Sequence, residues 1–395
     1  MSSANILVLN CGSSSVKFAI FDMSTQNILI SGLAERLHGS NPVISWKGIR
    51  SGQDDIAEQG HQAALDKLTS LLSESDLLDT IIGIGHRVVH GGELFSKSTL
   101  MTEKNLAELK SLNNLAPLHN PVNILGIEAC QKLLPHIPQV TVFDTSFHQT
   151  MEEHVYKYAV PEAWYNDHGI RKYGFHGTSF RYIAQECAER LNKPADKLNI
   201  LCAHLGNGCS ASAILNGKSV DTTMGLTPLD GLIMGTRSGS IDPSLIEFIM
   251  NAEDMTIQQV MNCLNKESGL LALSGRSNDM RTLIEAEAEG DEKAGRAINA
   301  FCYRIARQLG ALAVSLPTID AIVFTGGIGE HAAVVRQRVI NYWPNSAIIL
   351  DDKLNQANGD KQGIISQADS PKAMVIATNE ELMIAQDCYE LCKHD

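Results

Sequence analysis

Apolar residues in this chain gather in short runs that end in small, polar turns. The first run is Ile6-Leu7-Val8-Leu9, the turn is Asn10-Cys11-Gly12-Ser13-Ser14-Ser15, and a second apolar run follows from Val16 to Phe21. Run, turn and run predict a β-hairpin. The pattern returns over 199–215, where an apolar run meets His204-Leu205-Gly206-Asn207-Gly208 and a small, apolar run follows. Both begin Asn-Ile-Leu, and Gly12 and Gly206 fall at the same offset from that start. A looser pair joins 140–143 to Asp144-Thr145-Ser146 and 321–324 to Thr325-Gly326-Gly327, two buried-type strands ending in polar turns. Helices are predicted over 103–115, 180–191 and 292–316. A polar stretch, 366–374, is broken by Pro371 and precedes a terminal helix from Glu380. Thr378 or Asn379 can cap that helix, with Glu380 and Glu381 favourable in its first turn. Two similar halves in the same order predict a duplicated α/β domain with a cleft between the copies.

Length and composition narrow the class. The 395 residues suffice for two domains, and 44% hydrophobic content suits substantial cores. No window approaches the roughly 18 apolar residues of a membrane span, and the N-terminus lacks the charged region of a signal peptide. The nine cysteines are scattered without a CxxC pair and read as reduced, cytoplasmic thiols. A net charge of −13 disfavours nucleic acid or an anionic membrane as partner. An anionic small molecule then needs a local cluster of cations.

Such clusters exist beside the glycine-rich turns. Asn10, Ser13, Ser15 and Lys17 offer hydroxyls, an amide and a cation suited to a phosphate. The Gly-Lys-Ser/Thr ending of a P-loop is absent there, and the residues that follow are β-formers. Arg87, in His86-Arg87-Val88-Val89-His90-Gly91-Gly92, reads as a fork for carboxylate or phosphate oxygens. Zinc at His86 and His90 is disfavoured, because no zincin Glu is present and Val-Val favours a strand. His119 sits in a proline-bracketed turn and His176 in a glycine-bracketed one; either can donate to phosphoryl oxygens. Arg237 lies in a loop too rich in Gly and Ser to need a charge for folding, and reads as a transition-state arginine. Loops 274–281 and 326–330 allow close approach of a nucleotide. Asp144 and Glu380 are candidate Mg²⁺ ligands, since that ion needs only one or two carboxylates besides phosphate and water.

Taken in order, these segments resemble the acetate kinase family essentially end to end. The resemblance rests on Leu7 to Lys17, Gly85 to Gly92, Phe175-His176-Gly177-Thr178, His204 to Gly208 and Met234 to Gly239. It implies two duplicated ribonuclease-H-like domains of the sugar-kinase/Hsp70/actin type with an interdomain active-site cleft. It implies a discontinuous N-terminal domain, 1–147 plus 381–395, and a nucleotide-binding and dimerising domain, 148–380. The implied activity is reversible transfer of the ATP γ-phosphoryl group to acetate by a cytoplasmic homodimer, with Mg²⁺ or Mn²⁺. The resemblance places Asn10, Arg87, His176 and Arg237 around the transferred group, with Asp144 and Glu380 at catalytic and metal positions. Asn10 joins the metal set, and His119 assists at the acyl phosphate. ATP falls to Asn10, Ser13, Ser15, Lys17, His204, Leu205, Gly206, Asn207, Gly208, Asp279, Met280, Arg281, Gly326, Gly327, Ile328 and Gly329. Val89, Leu118, Phe175 and Pro228 line a pocket for the acetate methyl. Cys11 stands where a small residue such as Ala is expected, which suggests a site sensitive to oxidants. Rival readings are a propionate or butyrate kinase, a nucleotide-dependent phosphatase, and an actin- or Hsp70-like switch.

Overall fold

The computed structural model describes residues 4–393. The chain divides into two compact units, Met1–Phe147 with Asn379–Asp395, and His148–Thr378. The first contains the strands β1 (Asn5–Gly12), β2 (Ser15–Asp22), β3 (Asn27–Glu35), β4 (Val43–Gly48), β5 (Gly52–Asp55), β6 (Ile81–Val88), β7 (Thr99–Leu100) and β8 (Gln139–Phe143). They form one sheet in the order β5-β4-β3-β2-β1-β6-β8-β7. β1 to β3 pair antiparallel, while β1, β6 and β8 run parallel.

Alternation along the strands builds two cores, one on each face of the sheet. Leu7, Leu9, Cys11, Val16, Phe18 and Ile20 meet Leu65, Leu68 and Leu72 of the helix His61–Glu74 and Ala129 and Cys130 of the helix Asn120–Leu133. Ile6, Val8, Ala19, Phe21, Val140 and Val142 turn the other way, against Ile384, Ala385 and Cys388 of the helix Glu380–Cys392. β6 leaves room for that helix by presenting glycines. A Cβ on Gly85 would lie 2.6 Å from Ile384, and one on Gly83 would lie 2.8 Å from the Cys392 sulfur. Asn379 caps the helix by accepting from the Leu382 N–H at 3.0 Å. Thr378 is not the cap; its hydroxyl meets Ser179 at 2.8 Å.

The second unit has a sheet of β9 (Asn199–Leu205), β10 (Cys209–Leu215), β11 (Lys218–Thr222), β12 (Ala321–Thr325) and β13 (Lys372–Val375), ordered β11-β10-β9-β12-β13. β9, β10 and β11 are antiparallel; β9, β12 and β13 are parallel. β9 is buried along its whole length. The helix Glu292–Leu312 packs on β9 and β10, burying Ala294, Ile298, Phe301, Ile305 and Leu309 at helical spacing.

Duplication holds at the level of topology, with one correction. β3-β2-β1-β6-β8 and β11-β10-β9-β12-β13 share order and direction. The opening asparagines even play one part: Asn5 donates to the Thr80 hydroxyl at 2.7 Å and Asn199 to the Thr318 hydroxyl at 3.1 Å. The looser pairing of 140–143 with 321–324 is wrong by one strand. β12 occupies the place of β6, and the counterpart of β8 is β13. A buried apolar run ending in a small turn describes any interior parallel strand, so it could not say which. The polar stretch 366–374 was also misread, since β13 starts inside it at Lys372 and buries Ala373 and Met374. The three predicted helices appear as Glu103–Ser111, Gly177–Arg190 and Glu292–Leu312.

Candidate active site

In the first unit, one face of the sheet turns polar where the strands run past the C-terminal helix. The row Ile6, Val8 continues to Asn10; Phe21, Ala19 to Lys17; Gly83, Gly85 to Arg87; Val140, Val142 to Asp144. Glu380 and Glu381 begin the helix at this edge. Lys17 pairs with Glu381 at 2.6 Å, across the strand pair from Asn10. Arg87 donates to both oxygens of the buried Asp144 carboxylate, Nε at 2.9 Å and Nη2 at 2.6 Å, and lies 3.9 Å from Glu380. The arginine is therefore not a free fork. Asp144 fixes its plane, holds its pKa above the usual arginine value, and leaves the Nη1 edge for another anion.

Ser13 is at the exposed tip of the hairpin, whose loop is only Ser13-Ser14, and Ser15 pairs with Glu35 in the next strand. Cys11 points to the opposite face from Asn10. It is buried against Gly126, and burial pushes its thiol up to about 12. The expected oxidant sensitivity at the site is thereby corrected, because the thiol is neither exposed nor ionised. His86 is buried with its Nε2 2.7 Å from Gln139, which pulls it away from any metal role; desolvation lowers it to about 4.

Two residues missed in the sequence lock this edge. Asn123 accepts from the Val89 N–H at 3.1 Å and donates to the Cys11 carbonyl at 2.9 Å, joining the two strand-end turns. Asn120 exchanges a bond pair with His90, at 3.2 and 2.9 Å. The signal was available: two asparagines on the buried side of an otherwise apolar helix need partners. His119 occupies the N-cap position of that helix. Val89 is half-buried, whereas Leu118 is 69% exposed.

Burial raises the Glu380 carboxyl above its ordinary range, and the Asp144 charge adds to this while Arg87 opposes it. The folded protein thus holds a carboxyl that ionises less readily than in the unfolded chain. Its stability contribution is intact below the unfolded value, near pH ~4.3, and is lost as pH rises through the raised folded value. Glu380→Gln is expected to raise Tm at pH 7 and leave it unchanged at pH 4, while activity falls; thermal unfolding at both pH values checks this. The same strain fits a hard cation. Asn10, Asp144 and Glu380 are oxygen donors, and a dication would favour the ionised Glu380. Among the described residues, no three His, Cys, Asp or Glu side chains converge as a complete metal cluster.

The second unit carries its own polar turn, with Arg237 beside it. β9 and β10 are joined by Gly206-Asn207-Gly208, with the Gly206 N–H bonded to the Gly208 carbonyl at 3.1 Å. His176 begins the helix Gly177–Arg190 in a left-handed conformation, φ 58°. Its Nδ1 meets the Ser210 hydroxyl at 2.9 Å, and its ring stacks on His204 with centroids 4.3 Å apart. His204 in turn meets Ser179 at 2.9 Å. A Cβ on Gly208 would lie 3.6 Å from both Arg237 Nη1 and His176 Nε2, so the turn, the arginine and the histidine share one place. Arg237 forms no ion pair among the described residues. Its Nη1 reaches only the Pro228 carbonyl at 3.5 Å and the Met234 sulfur at 3.8 Å, and desolvation lowers its pKa. Phe175 is buried, and its carbonyl accepts from His148 at 3.0 Å.

Beside the turn is a cavity of about 490 Å³ lined by Gly206, Asn207, Asp279, Met280, Arg281, Gly327 and Ile328, all expected at a nucleotide. Asn278, Ile284, His331 and Ala332 complete it and were not foreseen. Met280, Ile284, Ile328 and Ala332 give it an apolar side; Asn207, Asn278 and the Asp279–Arg281 pair give it a polar one. Asn278 donates to Asn207 at 2.9 Å. A Cβ on Gly235 would lie 2.0 Å from the Asn207 side-chain oxygen, so a larger residue there would displace the Asn207 amide from the cavity wall. Asp279 caps the helix Met280–Ala288 and accepts from the Arg281 guanidinium at 3.1 and 2.6 Å, which holds its carboxyl below the usual range. Gly326 has φ 74° and Cβ space occupied by the Leu205 backbone, so the chain turns sharply from β12 into this wall.

Comparison with known proteins gives the family. Residues 5–386 match the acetokinase family. The chain is 49% identical over 394 residues to the acetate kinase of Carboxydothermus hydrogenoformans, covering 98% of each, and 49% over 392 residues to that of Chromobacterium violaceum, again 98% of each. Among solved structures, a propionate kinase from Francisella tularensis superposes with a TM-score of 0.94 at 45% identity, covering 98% of this chain and 99% of that one. Acetate kinase from Porphyromonas gingivalis gives 0.93 at 40% identity, covering 98% and 100%. A match along nearly the whole chain, with identity of this order, makes the chain a phosphotransferase and a member of the acetokinase family.

Proposed function

We propose that the chain catalyses reversible transfer of the γ-phosphoryl group of ATP to acetate, giving acetyl phosphate and ADP. The observation that carries this reading is the placement of His176 and Arg237 together at a glycine turn that opens on a nucleotide-sized cavity. Acetate is a carboxylate at neutral pH and needs no strong base. The work is to hold two anions in line and spread the charge of the transferring group. Arg87 orients the carboxylate through its free Nη1 edge, with Asp144 as the group that holds it in plane. Arg237 and His176 stabilise the equatorial phosphoryl oxygens. The Ser210 hydroxyl at 2.9 Å from Nδ1 fixes the ring, so that Nε2 faces the turn. His119 assists at the acyl phosphate. Adenosine lies against Met280, Ile284 and Ile328, with Asn207 and Asp279 toward its polar parts. Asp144, Glu380 and Asn10 are the groups that would hold magnesium or manganese, which when bound neutralises phosphate charge. A hydroxamate assay of acyl phosphate, with ATP and each short-chain acid in turn, tests the reaction. ATP consumption that needs no acid overturns it.

The propionate kinase relative keeps the choice of acid a live question, and Val89 is the residue to probe. Val89→Ala is expected to shift the propionate-to-acetate ratio of kcat/KM upward by about tenfold, the scale of one methylene in an apolar pocket. An unchanged ratio removes Val89 from the pocket.

We also infer a homodimer. The helix Ser244–Ala252 has no buried residue although it is strongly apolar, and Phe248 is 71% exposed with Leu245 and Ile257 also open. Sedimentation at the mass of a single chain overturns this. Nine free cysteines, most of them buried, support a cytoplasmic setting; an intact chain recovered from the cytosolic fraction is the check.

A further inference from the structure

Glu330 belongs to none of the roles above, yet one of its oxygens joins two parts of the second unit. Oε1 accepts from the Gly326 N–H at 3.0 Å and from the Thr378 N–H at 3.1 Å, with the Thr325 hydroxyl at 3.5 Å. Gly326 opens the segment whose next residues, Gly327 and Ile328, wall the cavity. Thr378 is the last residue of the unit, and Glu380 follows two positions later in the chain. The Thr378 hydroxyl meets Ser179, and Ser179 meets His204, so the same network reaches the polar turn. The far end of the short helix Gly326–His331 is held as well. Fully buried Arg336 donates to the carbonyls of Gly329 and Glu330 at 2.8 and 3.0 Å, and to Asn355 and Asn358. With its C-terminal carbonyls fixed and its first N–H tied to a carboxylate, this segment moves together with Thr378 or not at all.

We propose that Glu330 is a positioning residue that couples occupancy of the nucleotide cavity to the chain at Thr378–Glu381. A nucleotide seated on Gly327 and Ile328 tightens the hold on Gly326, and Glu330 passes that restraint to the Thr378 N–H. The link through Glu330 is formed in the resting chain, and a bound nucleotide steadies the segment that carries Glu380 further. The inference rests on the nucleotide reading of the cavity.

The test is hydrogen exchange of the full chain with and without ADP and magnesium, with binding read separately by calorimetry. In the wild type, nucleotide is expected to slow exchange of the amides at 378–382. Glu330→Ala and Glu330→Asp are expected to abolish that slowing, the second because the carboxylate no longer reaches both N–H groups. Both raise the KM for ATP by about tenfold, the scale of lost hydrogen bonds to a charged group. Glu330→Gln keeps the reach and a carbonyl acceptor, and is expected to retain the slowing. Slowing that persists in Glu330→Asp and fails in Glu330→Gln overturns the inference, as does its absence in a wild type that binds ADP. If Glu330→Ala does not fold, the Asp and Gln variants decide. Failure of ADP to bind the wild type at all counts instead against the nucleotide reading.

Discussion

Arg237→Ala is expected to lower kcat by at least ~10³ while the protein stays folded. The fold survives because little depends on this side chain. Its contacts are a carbonyl at 3.5 Å and a sulfur at 3.8 Å, both long. The rate falls because the cation is held half-buried without a counter-charge, which is costly in the resting protein and useful only when negative charge arrives. Desolvation already lowers its pKa, the mark of a charge without a partner. The contrast with Arg87, held in plane by Asp144 through Nε and Nη2, separates the two arginines: one is placed before substrate binds, and the other is proposed to meet the phosphoryl group. Arg237→Lys keeps a charge but loses the planar fork, so it recovers part of the rate. Steady-state kinetics with a melting curve for each variant check this. Near-normal turnover in Arg237→Ala removes the residue from the mechanism.

What the sequence showed and what it hid divide along a physical line. Glycine-rich turns were legible because a turn needs particular residues at fixed positions, and both hairpins were placed by that logic. Alternation within a strand was equally available and was underused. Asn10 on one face puts Cys11 on the other, so the buried, inert thiol follows from parity alone. Long-range pairing was not legible. Nothing in the strand 81–88 names Asp144 as the partner of Arg87, fifty-seven positions on. The supporting side chains Asn120, Asn123 and Glu330 were legible only in part, as polar residues in need of partners the sequence does not name. Each sits on a helix whose pattern is satisfied without it, and only its partners, strand-end N–H groups and carbonyls, reveal why it is polar. The nucleotide cavity shows both cases. Asp279 to Arg281 stood out as a loop cluster, while Ile284 on its helix and Ala332 between two helices line the wall as ordinary apolar residues.

Asp144→Ala is expected to destabilise the first unit by about 3–5 kcal/mol, the cost of stranding one member of a buried ion pair. Asp144 is almost fully buried and the Arg87 side chain is 24% exposed, so solvent screens the pair little. Removing the carboxylate leaves the guanidinium facing Glu380 at 3.9 Å, too long to replace two bonds of 2.9 and 2.6 Å. Loss of activity in this variant therefore mixes instability with chemistry, and a second construction separates them. Replacing both partners, Arg87→Met with Asp144→Leu, removes the stranded charge and is expected to return stability to near the wild-type level, because apolar substitutes for a buried pair are often neutral or better. Activity is not expected to return, since the cation proposed to orient the carboxylate is gone. Urea unfolding of the single and double variants, alongside the hydroxamate assay, reads both quantities. If Asp144→Ala unfolds within about 1 kcal/mol of the wild type, the pair behaves as a surface contact, and Arg87 is held in place by something other than Asp144.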